Sequence, residues 1–289
     1  MKETYEKLRI RIEEYLEGCF RENVSQGQLL AAMRYSLLAG GKRIRPVLTL
    51  AFCRASGGDV DACMPVAAAV EMLHTYTLIH DDLPCMDNDS LRRGKPTNHI
   101  VYGADTATLA GDALQAEAFR AVLSAAVGDG PARRAALALA EAAGALGVCG
   151  GQVLDLAAEG CALEADEIME IDRLKTGALI AAACRMGVIA GGGAQEQVEA
   201  AQTFGENLGL AFQIRDDVLD VEGDAALLGK SVGSDRASGK ATLLQLLGRD
   251  RCMTLIDELT AAALESVERA FADIEFLSWI CDWLIRRTF

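Results

Sequence analysis

The chain has 289 residues, 51 % of them hydrophobic, and can therefore bury one large core or two small ones. Its net charge of −14 argues against nonspecific binding to nucleic acid or anionic lipid, and requires local cations wherever a phosphate is to be held. Nine scattered cysteines, an odd number without a Cys-x-x-Cys pair, argue against a disulfide framework or zinc site and for a reduced, cytoplasmic protein.

The amino terminus is charged and has no apolar stretch of the signal-peptide kind. Leu8, Ile12, Tyr15 and Leu16 recur at helical spacing within residues 4–20. A second helix is predicted over residues 26–38, ended by Gly40 and Gly41. Lys42, Arg43 and Arg45 follow, and Pro46 falls in the first turn of an apolar helix reaching Ala55. A basic cluster beside helix-start N–H groups suits an anion, with a solvated basic turn as the plain alternative. Asp61 is expected to cap the next helix, which has Pro65 in its first turns.

That helix ends in a group of carboxylates, Asp81, Asp82 and Asp87. His74 and Thr77 lie within about 40° of Asp81 on a regular helix, so an imidazole, a hydroxyl and a carboxylate share one face. Pro84 disfavours helical geometry at Leu83, and Asp87 is therefore expected to bend back from a loop towards Asp81 and Asp82. Arg92 and Arg93 offer planar forks that suit phosphate, or that neutralise the neighbouring aspartates.

A helix over residues 106–127 stops at a break over residues 128–131, and a long one over residues 131–157 follows. Its glycines point to close packing, and Gln152 and Asp155 face either a polar cavity or solvent. Within residues 164–189, Lys175-Thr176-Gly177 signals either a break whose carbonyls and lysine face a cavity, or two abutting helices with Lys175 reaching water. The apolar stretch 177–193, interrupted by Arg185, reads as a core helix rather than a membrane span. Over residues 195–221, Phe212, Gln213, Asp216, Asp217 and Asp220 fall at three- and four-residue steps, and Asp216 and Asp220 repel each other when bare. A loop over residues 222–239, carrying Lys230 and ending at Lys240, is either a lid over this second acidic cluster or a surface loop. With strand-like alternation almost absent and no shift in composition, the expectation is a single all-α domain over residues 1–289. Acidic clusters on apolar helices are costly unless cations meet them. A shared Mg²⁺ site holding a phosphorylated substrate is the simplest reading.

Three stretches then carry a resemblance: Gly40-Gly41-Lys42-Arg43-Ile44-Arg45-Pro46, Asp81-Asp82-Leu83-Pro84-Cys85-Met86-Asp87 and Asp216-Asp217-Val218-Leu219-Asp220. With Arg92-Arg93 and Lys175-Thr176 between them, the chain resembles short-chain trans-polyprenyl diphosphate synthases over nearly its whole length, most closely the bacterial farnesyl diphosphate synthases. The resemblance implies an isoprenoid synthase fold of antiparallel helices around a central cavity, a homodimer, and no stable membrane insertion. It implies that Asp81, Asp82, Asp87, Asp216, Asp217 and Asp220 hold up to three Mg²⁺, with Mn²⁺ as a substitute. By the same resemblance, Arg92, Lys175, Thr176, Gln213, Lys230 and Lys240 contact the allylic diphosphate, while Gly41, Lys42, Arg45, His74 and Arg93 bind isopentenyl diphosphate. Asp81, Asp82, Asp87, Lys175, Thr176, Gln213 and Asp216 form the implied catalytic set.

The implied reaction condenses isopentenyl diphosphate with dimethylallyl and geranyl diphosphates to give (2E,6E)-farnesyl diphosphate. Tyr76, five residues before Asp81 and next to Thr77, would limit product length. The alternatives are a geranylgeranyl or geranyl diphosphate synthase, and a non-catalytic modulatory subunit. Such subunits usually lose one acidic motif, whereas this chain keeps both. Ser90 and Leu243 depart from the family's usual residues without removing an implied metal ligand.

Overall fold

The computed structural model describes residues 1–222 and 241–286. Lys230, Lys240 and the loop expected to act as a lid lie outside the described residues. The described residues are mostly helical, as expected. Helices α1 (Lys2–Gly18), α2 (Gly27–Leu37), α3 (Ile44–Ala55) and α4 (Val60–Asp81) come first. Helices α5 (Asn98–Tyr102), α6 (Ala104–Leu123), α7 (Asp129–Ala143), α8 (Val148–Ala158) and α9 (Ala165–Asp172) follow. Then come α10 (Ala178–Ala190), α11 (Gln195–Glu222), α12 (Leu243–Leu247), α13 (Arg249–Glu268) and α14 (Glu275–Ile285).

Helix α10 lies at the centre and packs against α3, α4, α7 and α11. Small residues allow that. A Cβ on Gly205 would sit 2.4 Å from the Ala181 Cα, and one on Gly209 2.6 Å from the Gly177 Cα, so α11 lies backbone to backbone against this region. Phe52 meets the edges of Phe204 and Phe271, at 5.2 and 5.7 Å between ring centroids, tying α3 to α11 and the segment after α13. Helix α4 is long and apolar enough to cross a membrane, but 72 % of its most apolar window is buried inside the protein.

Four local features differ from the sequence reading. Asp59, not Asp61, caps α4, and its side chain accepts from the Asp61 N–H at 2.8 Å. The long helix after residue 131 is two helices, separated at Gly144–Gly147. Gly147 closes against the Ala142 carbonyl, which a Cβ would meet at 2.1 Å. The expected break at Lys175 is a π turn, Arg173–Gly177, continuous with the helices on either side, so the chain widens without breaking. A hairpin also occurs among the described residues, β1 (Leu91–Arg92) against β2 (Lys95–Pro96). Its two turn residues, Arg93 (φ 53°) and Gly94 (φ 73°), are both left-handed, the geometry a two-residue hairpin favours.

Candidate active site

Helix α4 delivers the first acidic cluster at its carboxy-terminal end. Asp82 is the terminal cap, and Pro84 lies in the turn that follows. The Asp87 N–H donates to the Asp81 carbonyl at 2.9 Å, so the loop returns as the proline suggested. Asp82 is only 3 % exposed. Arg92 grips one of its oxygens through Nε at 2.7 Å and Nη2 at 2.6 Å. Burial nevertheless outweighs that cation and, with Asp89 and Asp81 nearby, pushes the Asp82 carboxyl up to about 6. Of the two readings for Arg92, the structure displays neutralisation of the aspartates.

The basic group assembles from three elements. Gly40 and Gly41 are left-handed (φ 89° and 123°), and a Cβ on Gly41 would lie 2.9 Å from the Arg93 guanidinium carbon. That space lets Arg93 cross from the hairpin and donate to the Gly40 carbonyl. The Arg45 Nη1 lies 3.5 Å from His74 Nε2, and its buried Nε has no hydrogen-bond partner among the described residues. Burial and the Arg93 charge push Arg45 down to about 10, against the pull of Glu71 and Asp216. Burial, then Arg45, Arg93 and Arg92, hold His74 well below its ordinary value. The group is thus crowded with cations around a neutral imidazole, an arrangement that an anion relieves.

Arg43 belongs elsewhere. It is 2 % exposed, forked onto Glu13 at 2.8 and 3.2 Å, paired with Glu71, and bonded to the Leu37 carbonyl at 2.7 Å. Within this basic turn it is a structural cation. Glu71 was missed by sequence reasoning, although a lone acid in the apolar run of α4 was a signal.

Helix α11 carries the second acidic cluster. Asp217, 6 % exposed, accepts from Gln213 Nε2 at 3.1 Å. The Gln213 Oε1 accepts from the Thr176 hydroxyl at 3.0 Å, which joins the π turn to this cluster. Lys175 faces neither an open cavity nor water alone: its Nζ pairs with Asp155 on α8 at 2.6 Å. Gly151 permits this approach, because a Cβ there would lie 2.4 Å from the Lys175 backbone nitrogen. Gln152, beside it, is buried, and neither of its amide atoms has a partner among the described residues. The Asp216 charge acts on Arg45, and α4 reaches the same guanidinium through His74. Arg45 thus touches the helix that ends in the first acidic cluster and feels the charge of the second.

The donors are all carboxylate oxygens, which fit Mg²⁺ or Mn²⁺ rather than softer metals. Among the described residues no three His, Cys, Asp or Glu side chains form a ready cage. Mg²⁺ uses one or two carboxylates and completes its octahedron with water and phosphate oxygens, so small groups of carboxylates match its habits. Tyr76 is buried, its hydroxyl 3.2 Å from Cys149 Sγ at the start of α8 and its ring edge-on to His80 at 5.1 Å. The Thr77 hydroxyl donates to the His74 carbonyl at 2.8 Å. Leu243 is fully buried at the start of α12, while Ser90 is exposed.

Comparison with known proteins sets this geometry in a family. The chain is 46 % identical over 243 residues to the Arabidopsis thaliana heterodimeric geranylgeranyl pyrophosphate synthase large subunit 1, a chloroplastic protein, covering 82 % of this chain and 66 % of the relative. It therefore spans about two thirds of the length of such relatives. Among solved structures, an FPP/GFPP synthase from Zymomonas mobilis superposes with a TM-score of 0.88 at 34 % identity, covering 98 % of this chain and 100 % of that one. A geranyltransferase from Helicobacter pylori, complexed with magnesium and isoprenyl diphosphate, superposes with a TM-score of 0.86 at 33 % identity, covering 97 % and 95 %. The cytoplasmic reading is overturned by the curated plant relatives, which are chloroplastic. Cysteine usage reports the redox state of a compartment and does not distinguish two reducing ones. The polyprenyl synthetase profile matches residues 26–274, and the chain belongs to that family.

Proposed function

We propose that the protein, acting as one unit over residues 1–289, is a trans-prenyltransferase that adds isopentenyl diphosphate to allylic diphosphates and makes geranylgeranyl diphosphate. The carrying observation is Arg45, whose buried Nε has no hydrogen-bond partner among the described residues, in contact with His74 on the helix that ends in the first acidic cluster and in the field of Asp216 in the second. The names of the similar plant enzymes support the geranylgeranyl product over the farnesyl product. Farnesyl remains the second reading, because the buried Tyr76 ring stands five residues before Asp81. Pairing with a second copy is the assembly that the family resemblance implies. A heterodimer is the rival assembly, since one relative is named as a heterodimeric large subunit.

Asp81, Asp82 and Asp87 on one side and Asp216, Asp217 and Asp220 on the other would hold up to three Mg²⁺, which would neutralise charge on the leaving diphosphate. Lys42, Arg45 and Arg93, with the neutral His74, would grip isopentenyl diphosphate. Arg92, Lys175, Thr176, Gln213 and, outside the described residues, Lys230 and Lys240 would hold the allylic diphosphate. As the allylic C–O bond breaks, its electron pair leaves with the diphosphate. Carbonyls of the π turn and the Gln213 amide face the developing cation without attacking it. The isopentenyl double bond then forms the new C–C bond, and the departing diphosphate takes the proton lost from the adjacent carbon.

Incubation with isopentenyl and dimethylallyl diphosphates plus Mg²⁺, followed by chromatography, tests the proposal. A C20 product is expected. A C15 end product would restore the farnesyl reading, and no condensation would overturn both.

A further inference from the structure

The turn that carries Lys42 and leads into Arg45 at the start of α3 is backed by parts of the chain outside the family match. Gly40, Gly41 and Arg43 all have left-handed backbone (φ 89°, 123° and 53°), a conformation that L side chains such as Arg43 adopt at a cost. Something must hold it. Arg43 is fixed by its fork onto Glu13 of α1 and by Glu71. Between Gly41 and Arg43, the Lys42 carbonyl accepts a hydrogen bond from the Tyr5 hydroxyl, also on α1. Tyr5 is itself 2 % exposed, its ring 4.7 Å from Trp283 and 6.0 Å from Trp279 on α14. Both α1 and α14 lie outside residues 26–274.

We propose that Tyr5 is a positioning residue for the isopentenyl diphosphate subsite: wedged against Trp279 and Trp283, its hydroxyl pins the Lys42 carbonyl and so orients Lys42 and Arg45 towards the diphosphate. The inference rests on the proposed role of that subsite. It assigns to the first and last helices a share in substrate affinity rather than in packing alone. Because Tyr5 touches the peptide between two left-handed residues, losing its hydroxyl frees the orientation of Lys42 while the ring keeps its place in the core.

The test is steady-state kinetics of Tyr5→Phe in the full chain, beside Ile12→Val, which trims buried packing on the same helix without removing a hydrogen bond to the turn. Tyr5→Phe should raise KM for isopentenyl diphosphate about five- to tenfold, the value of one ordinary intramolecular hydrogen bond. KM for the allylic substrate and kcat should stay within about twofold, as should all constants of Ile12→Val. Equal shifts in both substrates, or no shift beyond that of Ile12→Val, would overturn the inference. Lys42→Ala and Arg45→Ala separate the two claims. If they raise KM for isopentenyl diphosphate while Tyr5→Phe does not, only this inference falls; if they do not, the subsite reading falls and takes the inference with it.

Discussion

Gly151→Ala should destabilise the protein, although alanine is ordinarily the better helix former. Propensity alone favours the change by about 1 kcal/mol. Against that, the new Cβ would lie 2.4 Å from the Lys175 nitrogen, 2.8 Å from its Cα and 2.9 Å from the Leu174 carbonyl carbon. All three are backbone atoms, so no side chain can swing aside, and α8 must move away by about 1 Å to restore ordinary contact. Overpacking of this kind costs about 1–3 kcal/mol, and contact with backbone puts it at the upper end. The net loss is about 2 kcal/mol. With an unfolding entropy of about 2.1 cal/mol/K per residue, the 289-residue chain should lose about 3 °C in Tm. Displacement of the turn holding Lys175 and Thr176 should also lower kcat, by up to about a hundredfold. Scanning calorimetry and turnover assays decide the matter. Gly130→Ala, where a Cβ meets nothing within 4 Å, should not lower Tm. A Tm for Gly151→Ala that rises, with turnover intact, would refute the packing argument.

Two further outcomes follow from the site. Tyr76→Ala should remove a buried ring from α4, five residues before Asp81, and lengthen the product, seen by chromatography; an unchanged chain length would remove Tyr76 from that role. His74 should stay neutral below its ordinary pKa of 6.5 when its ring is followed by NMR, because burial and Arg45, Arg93, Arg92 and Arg43 oppose a proton there. The unfolded chain takes up that proton first, so the stability this group allows is present above pH 6.5 and lost as pH falls. Titration at or above 6.5 in the unliganded protein would contradict the cationic crowding.

The parts of this site that local chemistry dictates were legible in the sequence. Pro84 signalled the return of Asp87, and the glycine pair signalled the turn before Lys42. The Lys175-Thr176-Gly177 irregularity was legible as a break but not as a π turn, because periodicity reports a disturbance and not how the backbone absorbs it. Long-range pairs were hidden. Nothing near Lys175 announced Asp155, and nothing near Arg43 announced Glu13, because each partner arrives on a different helix. The Arg92 hairpin was invisible for another reason: two-residue strands have no period to read. The cap at Asp59 was misplaced by two residues because either aspartate can accept an N-terminal N–H, and only backbone geometry chooses between them.

The most direct measurement is the melting temperature with and without Mg²⁺ and inorganic diphosphate together, in the wild-type chain, Asp81→Asn and Asp216→Asn. A ligand at a hundred times its Kd stabilises by about 2.7 kcal/mol, which for this chain is a rise of about 4 °C. The rise should require both components and shrink sharply when either cluster is altered, because the proposed site draws its ligands from both. A full rise in either variant, or none in the wild type, would contradict a shared metal–diphosphate site.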